Sequence, residues 1–146
     1  MAQGSFSAQV SAWVAKTKER QRAVFQEAAQ RVVEVMQTPV GAGGNMPVDT
    51  GFLRASLTAS LDGSLPPLTD RPDDQARYSY DAGQVNLVIA EAQITDTIVA
   101  AYGARYSRYQ EYGARGQPGR RFVALAAQQW AAIVNEVCRE AQSRAK

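Results

Sequence analysis

The sequence contains no histidine and only one cysteine, Cys138, among its 146 residues. Without histidine the chain lacks the commonest general base and the commonest transition-metal ligand of proteins. A single thiol cannot form an intramolecular disulfide, and neither a Ser–His nor a Cys–His pair can be built. Cys138 falls beside the apolar stripe of a predicted helix, so we interpret it as a packed side chain. We therefore predict a protein that is not an enzyme and has no catalytic, cofactor-binding or metal site.

Long apolar runs and a strong charge bias are also missing. No segment approaches the ~20 apolar residues that a membrane span needs, so we expect no membrane partner. The first twenty residues have no basic region followed by an apolar run, and we expect no signal peptide. With 16 basic and 14 acidic side chains the net charge is +2, which argues against non-specific nucleic-acid binding through the whole surface. A local basic patch stays possible.

The composition that is present, 45% apolar and 21% charged, is typical of a soluble globular protein, and we predict a single domain over residues 1–146. Residues 6–37 predict a long helix, capped by Ser5 or Ser7 and ended by Thr38-Pro39. Its middle, residues 15–23, is polar almost all round. That stretch is either a solvated face or part of a helix that extends past its own core onto a neighbouring subunit. One stripe of the helix, apolar except for Thr17, recurs at helical spacing at Phe6, Val10, Trp13, Val14, Thr17, Val24, Ala28, Val32 and Val35.

The rest of the chain mixes strand and helix patterns. Alternation from Ser56 to Leu61 predicts a strand, and the runs 85–92 and 95–102 predict two more. Residues 119–143 predict a C-terminal helix, with Pro118 at or just before its first position. The predicted fold class is therefore α+β, a small antiparallel sheet packed by a long N-terminal helix and a C-terminal helix. Residues 39–49 and 62–84 lack periodicity and are predicted to be flexible loops.

One weak nuclease-like pattern exists. Asp73 and Glu91 resemble the two carboxylates that hold magnesium in metal-dependent nucleases. Gln93 stands where such sites usually have lysine, and Asp73 falls in a proline-rich loop. This reading is therefore the least favoured of those considered.

Arginine and tyrosine are concentrated between residues 102 and 121. Three interpretations stay open: contact with DNA phosphates, pairing with acidic groups across a subunit interface, or a solvated surface with Asp49 and Glu111 as internal partners. Tyrosine suits interfaces because it joins a large apolar body to a polar tip, and it also stacks on single-stranded bases. Core packing near the sheet edge is the default interpretation for at least two of the four tyrosines. The residues are Arg105, Arg108, Arg115, Arg120 and Arg121, with Tyr102, Tyr106, Tyr109 and Tyr112.

Two segments resemble a known family in their order and spacing. They are VDTGFLRASL, residues 48–57, and ARYSRYQEYGARGQPGRRFVALAA, residues 104–127. An Asp-Thr-Gly-x-Leu-Arg-x-Ser turn, sheet strands, a Tyr-x-x-Tyr-x-Glu-Tyr-Gly turn and Arg-x-Phe at the start of a last helix are similar to a phage family. It is the tail-component, neck or tail-completion family of the tenth gene product of the HK-series lambdoid phages. The long 62–84 segment departs from that pattern.

The resemblance implies a structural virion protein at the head–tail junction of a long-tailed phage. It implies a homo-oligomeric ring, expected to be a hexamer, that completes or terminates the tail, with assembly in the host cytoplasm. The implied partners are tail-tube and head-completion or connector proteins, with genomic DNA in the lumen. A head-closure or adaptor subunit of the neck is the alternative role, and a nucleic-acid-binding module is the alternative class. The motif positions are Thr50, Gly51, Leu53, Arg54, Tyr106, Tyr109, Glu111, Tyr112, Gly113, Arg121 and Phe122.

At five of these positions the residue type itself predicts a structural role. Gly51 allows a close approach to another backbone, and Leu53 anchors the turn in the core. Gly113 is expected to end a short helix in a left-handed conformation. Arg54 and Glu111 have opposite charge, and we hypothesise a salt bridge between the two motifs or between subunits.

Overall fold

The computed structural model describes residues 5–73 and 75–144. The chain forms six α-helices and four short strands within these residues, with a short 3-10 turn at Val40–Ala42. The helices are α1 Phe6–Gln37, α2 Phe52–Ala55, α3 Ala82–Glu91, α4 Ser107–Tyr112, α5 Phe122–Gln128 and α6 Trp130–Arg144. The strands are β1 Leu57–Ser60, β2 Val99–Tyr102, β3 Gly113–Ala114 and β4 Gln117–Pro118. None of the described helices is both long and apolar enough to cross a membrane.

Helix α1 confirms the predicted N-terminal helix over residues 6–37. The Ser5 hydroxyl caps it by accepting a hydrogen bond from the Ala8 amide at 3.2 Å, and Thr38 ends it in an extended conformation before Pro39. Its 32 residues span roughly 48 Å. A compact domain of this size has a radius of gyration of only about 15 Å. Residues 5–16 are accordingly all exposed, and only the later part of α1 contacts the body.

The main sheet is an antiparallel pair of β1 and β2 in which Leu57 faces Tyr102 and Ser60 faces Val99. Its strand β1 confirms the alternating pattern found in the sequence. The prediction of a strand over residues 85–92 was wrong, because this segment is helix α3. Val85, Ile89 and Ala92 are fully buried at a spacing of four and three residues, which is a helical stripe. The strand predicted over 95–102 is confirmed only for its last four residues.

The core lies where α1, α3 and α5 meet the inner face of β1. Buried Met36, Leu57, Val85, Ile89 and Ala126 pack together there. A second cluster joins α1 to α6 through Ala28, Ile133 and Val137. The predicted α+β class, with a small antiparallel sheet packed by the N-terminal and C-terminal helices, is therefore confirmed.

The C-terminal helix is not continuous, contrary to the prediction of one helix over 119–143. Gln129 separates α5 from α6, and the Gln129 amide bonds back to Ala126 and Ala127. Pro118 lies in strand β4 and not at the start of the helix, which begins only after Arg121 adopts φ 53. A left-handed residue cannot continue a helix, so α5 begins at Phe122.

The two predicted loops make specific contacts with the body. In residues 39–49, Met46 is fully buried and the Val40 amide donates to its carbonyl oxygen at 3.0 Å. In residues 62–84, Thr69 bridges to Ala104 and the Tyr78 amide donates to the Thr50 carbonyl at 2.8 Å. The last three residues of that range belong to α3.

Candidate subunit interface

The structure brings the two motif segments into one cluster. Leu53 from α2 and Phe122 from α5 pack together with Met46 and Ala104, all buried. The Phe122 ring meets the Tyr102 ring edge-on, with centroids 5.3 Å apart. The expectation that Leu53 anchors the first motif in the core is confirmed. These contacts fix the first motif beside the start of the last helices.

Gly51 confirms the expected close approach between backbones. It has φ 87, and a Cβ atom built on it would lie 2.3 Å from the Tyr78 carbonyl oxygen. The preceding Thr50 is buried, and its hydroxyl accepts a hydrogen bond from the Phe52 amide at 3.3 Å. Thr50 and Gly51 thus start α2 and hold the 62–84 segment against it.

We expect Gly51→Ala to lower the free energy of unfolding by about 2 kcal/mol, because a left-handed alanine is strained and its methyl group meets Tyr78. Urea denaturation followed by circular dichroism measures the change. Gly63→Ala is the matched control, because Gly63 also has positive φ, at 81, but has nothing within 4 Å of a built Cβ. Equal losses in the two variants would contradict the role of the Tyr78 contact.

Arg54 binds the end of α1 instead of Glu111. The Arg54 Nε donates to the Gln37 carbonyl oxygen at 2.8 Å, and the Gln37 side chain donates back to the Arg54 carbonyl at 2.9 Å. The guanidinium lies 5.2 Å from the centre of the Tyr80 ring, a cation–π arrangement. The hypothesis of an Arg54–Glu111 salt bridge within one subunit was therefore wrong, because both charged groups have other partners.

The same network includes the hydroxyl of Tyr102, which donates to the Gln37 Oε1 at 2.6 Å. Burial raises the pKa of Tyr102 well above its usual range, so the hydroxyl stays a protonated donor. Gln37 itself is almost fully buried. Sequence reasoning missed Gln37. The available signal was that Gln37 is a polar residue in the last turn of an otherwise apolar helix stripe.

Glu111 caps helix α5. Its side chain is buried, and its two carboxylate oxygens accept hydrogen bonds from the Val123 amide at 3.0 Å and the Ala124 amide at 2.9 Å. Arg121, at the N-cap position, makes no side-chain cap of its own. A carboxylate at a helix N-terminus satisfies free amides and matches the positive end of the helix dipole. Glu111 is therefore a structural link between α4 and α5.

A tight hairpin joins these two helices. Gly113 ends α4 with φ 94 and ψ 161, which is not the left-handed helical conformation that was predicted. A Cβ at Gly113 would lie 2.4 Å from the Gln117 carbonyl oxygen, so glycine is required there. Arg115 and Gly116, with φ 53 and φ 79, form the turn between β3 and β4.

The exposed side chains of α4 and of the segment from the hairpin to Arg121 are rich in arginine and tyrosine. Tyr109 and Tyr112 leave 60% and 69% of their surface exposed. Arg105 pairs with Asp70 at 3.2 Å between Nε and Oδ1, whereas the other four arginines of the segment have no ion pair within the described part of the chain. Asp49, one expected partner, pairs with Arg71. We call the exposed set the elbow surface: Arg108, Tyr109, Tyr112, Arg115, Arg120 and Arg121.

The predicted motif residues thus separate into two groups. Most lie inside the fold or in its turns: Thr50, Gly51, Leu53, Arg54, Tyr106, Glu111, Gly113 and Phe122. Only Tyr109, Tyr112 and Arg121 are exposed and available to a partner. The Phe52 ring contacts Tyr106, with centroids 6.3 Å apart, and burial raises the pKa of the Tyr106 hydroxyl.

The two carboxylates of the nuclease-like pattern lie in different parts of the fold. The Asp73 Oδ1 accepts a hydrogen bond from the Gln75 amide, and Asp73 lines a groove with Asp49 and Arg71. Glu91 ends helix α3 and is not on a strand. Among residues 5–73 and 75–144, no group of three or more Cys, Asp or Glu side chains is placed to hold a metal ion.

Comparisons with protein-family models, with curated proteins and with solved structures found no match to this chain.

Proposed function

We propose that this chain is a structural virion protein at the head–tail junction of a long-tailed phage, one subunit of a ring that completes or terminates the tail. The observation that carries this proposal is the elbow surface. Exposed tyrosines next to arginines that form no ion pair in the described part of the chain are the residue types that dominate the energetic centres of protein interfaces. The order of the two motifs in the sequence supports the same interpretation.

In such a ring each copy places its elbow surface on a different surface of the next copy, a head-to-tail contact that closes when the rotation between copies divides a full turn. The guanidinium groups that form no ion pair within residues 5–73 and 75–144 then meet carboxylates of the neighbour. The expected assembly is a hexamer that contacts tail-tube and head-completion or connector proteins, with DNA in its lumen. A head-closure or adaptor subunit of the neck is the alternative within this setting.

A nucleic-acid-binding module is the second candidate, and the same four arginines favour it. Guanidinium groups bind phosphates, and the exposed rings of Tyr109 and Tyr112 are able to stack on bases. The two candidates differ in their response to salt. DNA affinity through phosphate contacts falls steeply and log-linearly as salt rises. Fluorescence anisotropy with single-stranded and double-stranded DNA over a salt series separates the candidates.

We expect the double variant Arg108→Glu, Tyr112→Ala to lose ring assembly at least tenfold, because interface centres of this type contribute about 2 kcal/mol or more. Native mass spectrometry and negative-stain images of the purified protein, and its addition to particles that lack the chain, measure assembly and tail completion. Arg139→Glu, an exposed charge reversal on α6, is the control and should assemble normally. Infectious particles formed without the chain, or rings unaffected by the double variant, would refute the proposal.

A further inference from the structure

A polar cavity of about 550 Å³ lies beside the end of α1, where that helix meets the first motif. Its volume falls within the range of small-ligand sites in proteins. Only Arg54 and Glu34 are charged among the described residues that line it. The neutral polar part of the wall consists of Gln30, Gln37, Thr38, Tyr80 and Asn86.

Arg54 is held in a fixed orientation at this cavity. Its Nε donates to the Gln37 carbonyl oxygen at 2.8 Å, and the Gln37 side chain donates back to the Arg54 carbonyl at 2.9 Å. The guanidinium carbon lies 5.2 Å from the centre of the Tyr80 ring. Because Gln37 is only 3% exposed, the fold itself positions the guanidinium group, and a ligand would not have to order it.

The far edge of the same guanidinium group has no partner in the subunit. The Nη1 and Nη2 atoms of Arg54 form no hydrogen bond and no ion pair to residues 5–73 and 75–144. A guanidinium group presents its N–H donors in pairs along its edges, and the Nε edge is engaged by Gln37. The Nη1–Nη2 edge is therefore left to donate two parallel hydrogen bonds to one planar acceptor.

We propose that this cavity binds a carboxylate group, whose two oxygens accept hydrogen bonds from Nη1 and Nη2 of Arg54. A carboxylate has the planar two-oxygen shape that matches a guanidinium edge. One guanidinium group balances one negative charge, whereas a phosphate of about two negative charges would face a single cation here. The apolar side chains of Val33 and Ala82, which also line the cavity, suit a short aliphatic group attached to the carboxylate.

Glu34 does not take this place within its own subunit. Its side chain is exposed, and it forms no ion pair with Arg54 in the described part of the chain. Its negative charge nevertheless lies at the same cavity and opposes a second carboxylate there. Removal of that charge is therefore expected to strengthen binding.

Two sources supply the same chemistry. One is a free small carboxylic acid, and the other is the Asp or Glu side chain of a neighbouring copy. The second source rests on the ring proposed above, whereas the site itself does not depend on it.

Acetate is the probe for the site. In NMR spectra of the full chain with ¹⁵N-labelled arginine, sodium acetate replaces sodium chloride at constant ionic strength. We expect the Arg54 Nε–H signal to shift and to saturate below about 0.1 M acetate, which corresponds to weak but specific binding. Arg139, exposed on α6, is the control and should show no saturating shift. The absence of saturation at Arg54, or an equal response at Arg139, overturns the proposal.

Glu34→Gln tests the position of the ligand without altering any contact of Arg54. We expect it to raise the affinity for acetate about threefold, because it removes a nearby like charge. Glu19→Gln removes the same charge about 22 Å earlier on α1 and should leave the affinity unchanged. Equal affinities in these two variants would overturn the proposal. Binding that appears only in Glu34→Gln would also overturn it, because Glu34 would then be the carboxylate that occupies Arg54.

Arg54→Lys tests the two-donor edge. Lysine keeps the positive charge and loses the paired donors, so we expect the affinity for acetate to fall at least tenfold. The side-chain amide of Asn86, at the cavity wall, reports binding in this variant. Unchanged affinity would overturn the bidentate contact. If Arg54→Lys does not fold, the comparison of Glu34→Gln with Glu19→Gln still decides.

Assembled rings distinguish the two sources. If a neighbouring copy supplies the carboxylate, the Arg54 signal in rings lies at its acetate-bound position and acetate no longer shifts it. If the ligand is a free acid, acetate shifts the signal in rings as in the isolated chain. Acetate binding by a chain that forms no rings would leave the site standing while the proposed function fails. Rings formed by a chain that binds no acetate at any stage, with the Arg54 signal unchanged on assembly, would show the reverse.

Discussion

Replacing Phe122 by alanine is expected to lower the free energy of unfolding by about 3–5 kcal/mol, the range found when a buried aromatic side chain is removed from a core. Phe122 is 1% exposed and packs against Leu53 and Met46 from two other segments. Its ring also contacts Tyr102 on β2. The substitution opens a cavity at the place where the first motif meets the last helices, so the loss affects the whole domain. Urea denaturation followed by circular dichroism measures it.

Val123→Ala is the matched control for this prediction. Val123 is the next residue of α5 and is 36% exposed. Its truncation removes little buried surface, and alanine has the higher helix propensity, so we expect a change below about 1 kcal/mol. A similar loss in both variants would mean that α5 does not need Phe122 as its anchor.

Replacing Glu111 by alanine is expected to cost about 3 kcal/mol. The substitution removes two hydrogen bonds that the Glu111 carboxylate accepts. It leaves their donors, the amides of Val123 and Ala124, without partners at the start of α5. It also removes a negative charge from the positive end of the helix dipole. Thermal and urea unfolding give the loss of stability, and amide hydrogen exchange at residues 123 and 124 shows whether it is local.

Glu111→Gln separates the contribution of the hydrogen bonds to stability from the contribution of the charge. Glutamine keeps one acceptor oxygen and loses the charge, so we expect it to recover part of the loss, leaving a cost of about 1–2 kcal/mol. A variant Glu111→Ala as stable as the original protein would show that water replaces the carboxylate, and the capping role would then be rejected.

These effects on stability distinguish two roles of the motif segments, which are to hold the fold and to form a subunit interface. Leu53, Glu111 and Phe122 hold the fold, and their loss is expected to impair assembly only through unfolding. Arg108 and Tyr112 lie on the elbow surface and are expected to change assembly while the unfolding transition stays the same. A comparison of assembly with unfolding for the two groups therefore tests whether the family-like motif encodes a shape or an interface.

Local structure could be predicted where the deciding contacts lie within a few residues. Helix α1 begins at Phe6 and ends at Gln37 as predicted, because Ser5 supplies the cap and Thr38-Pro39 the stop. Strand β1 follows from strict alternation. Residues 85–92 were misassigned to a strand because Val, Leu and Ile are dense there, although Asp81 supplies a helix cap by accepting a hydrogen bond from the Gly83 amide. The Gln84 side chain then binds both backbone groups of Ala59, and this contact places α3 beside β1.

The absence of histidine and the single cysteine exclude histidine-based chemistry and a disulfide within the chain. Helix caps and periodicity determined where α1 and β1 lie, since both depend on neighbours along the chain. The path of the chain in space decided the rest. It placed Arg54 in hydrogen-bond contact with Gln37 and buried Glu111 against the start of α5. It also left residues 5–16 of α1 and the elbow surface exposed. Such pairings join residues far apart in sequence, and a side chain of given charge or apolarity has many acceptable partners. Only the packed fold selects which of these partners comes within contact distance.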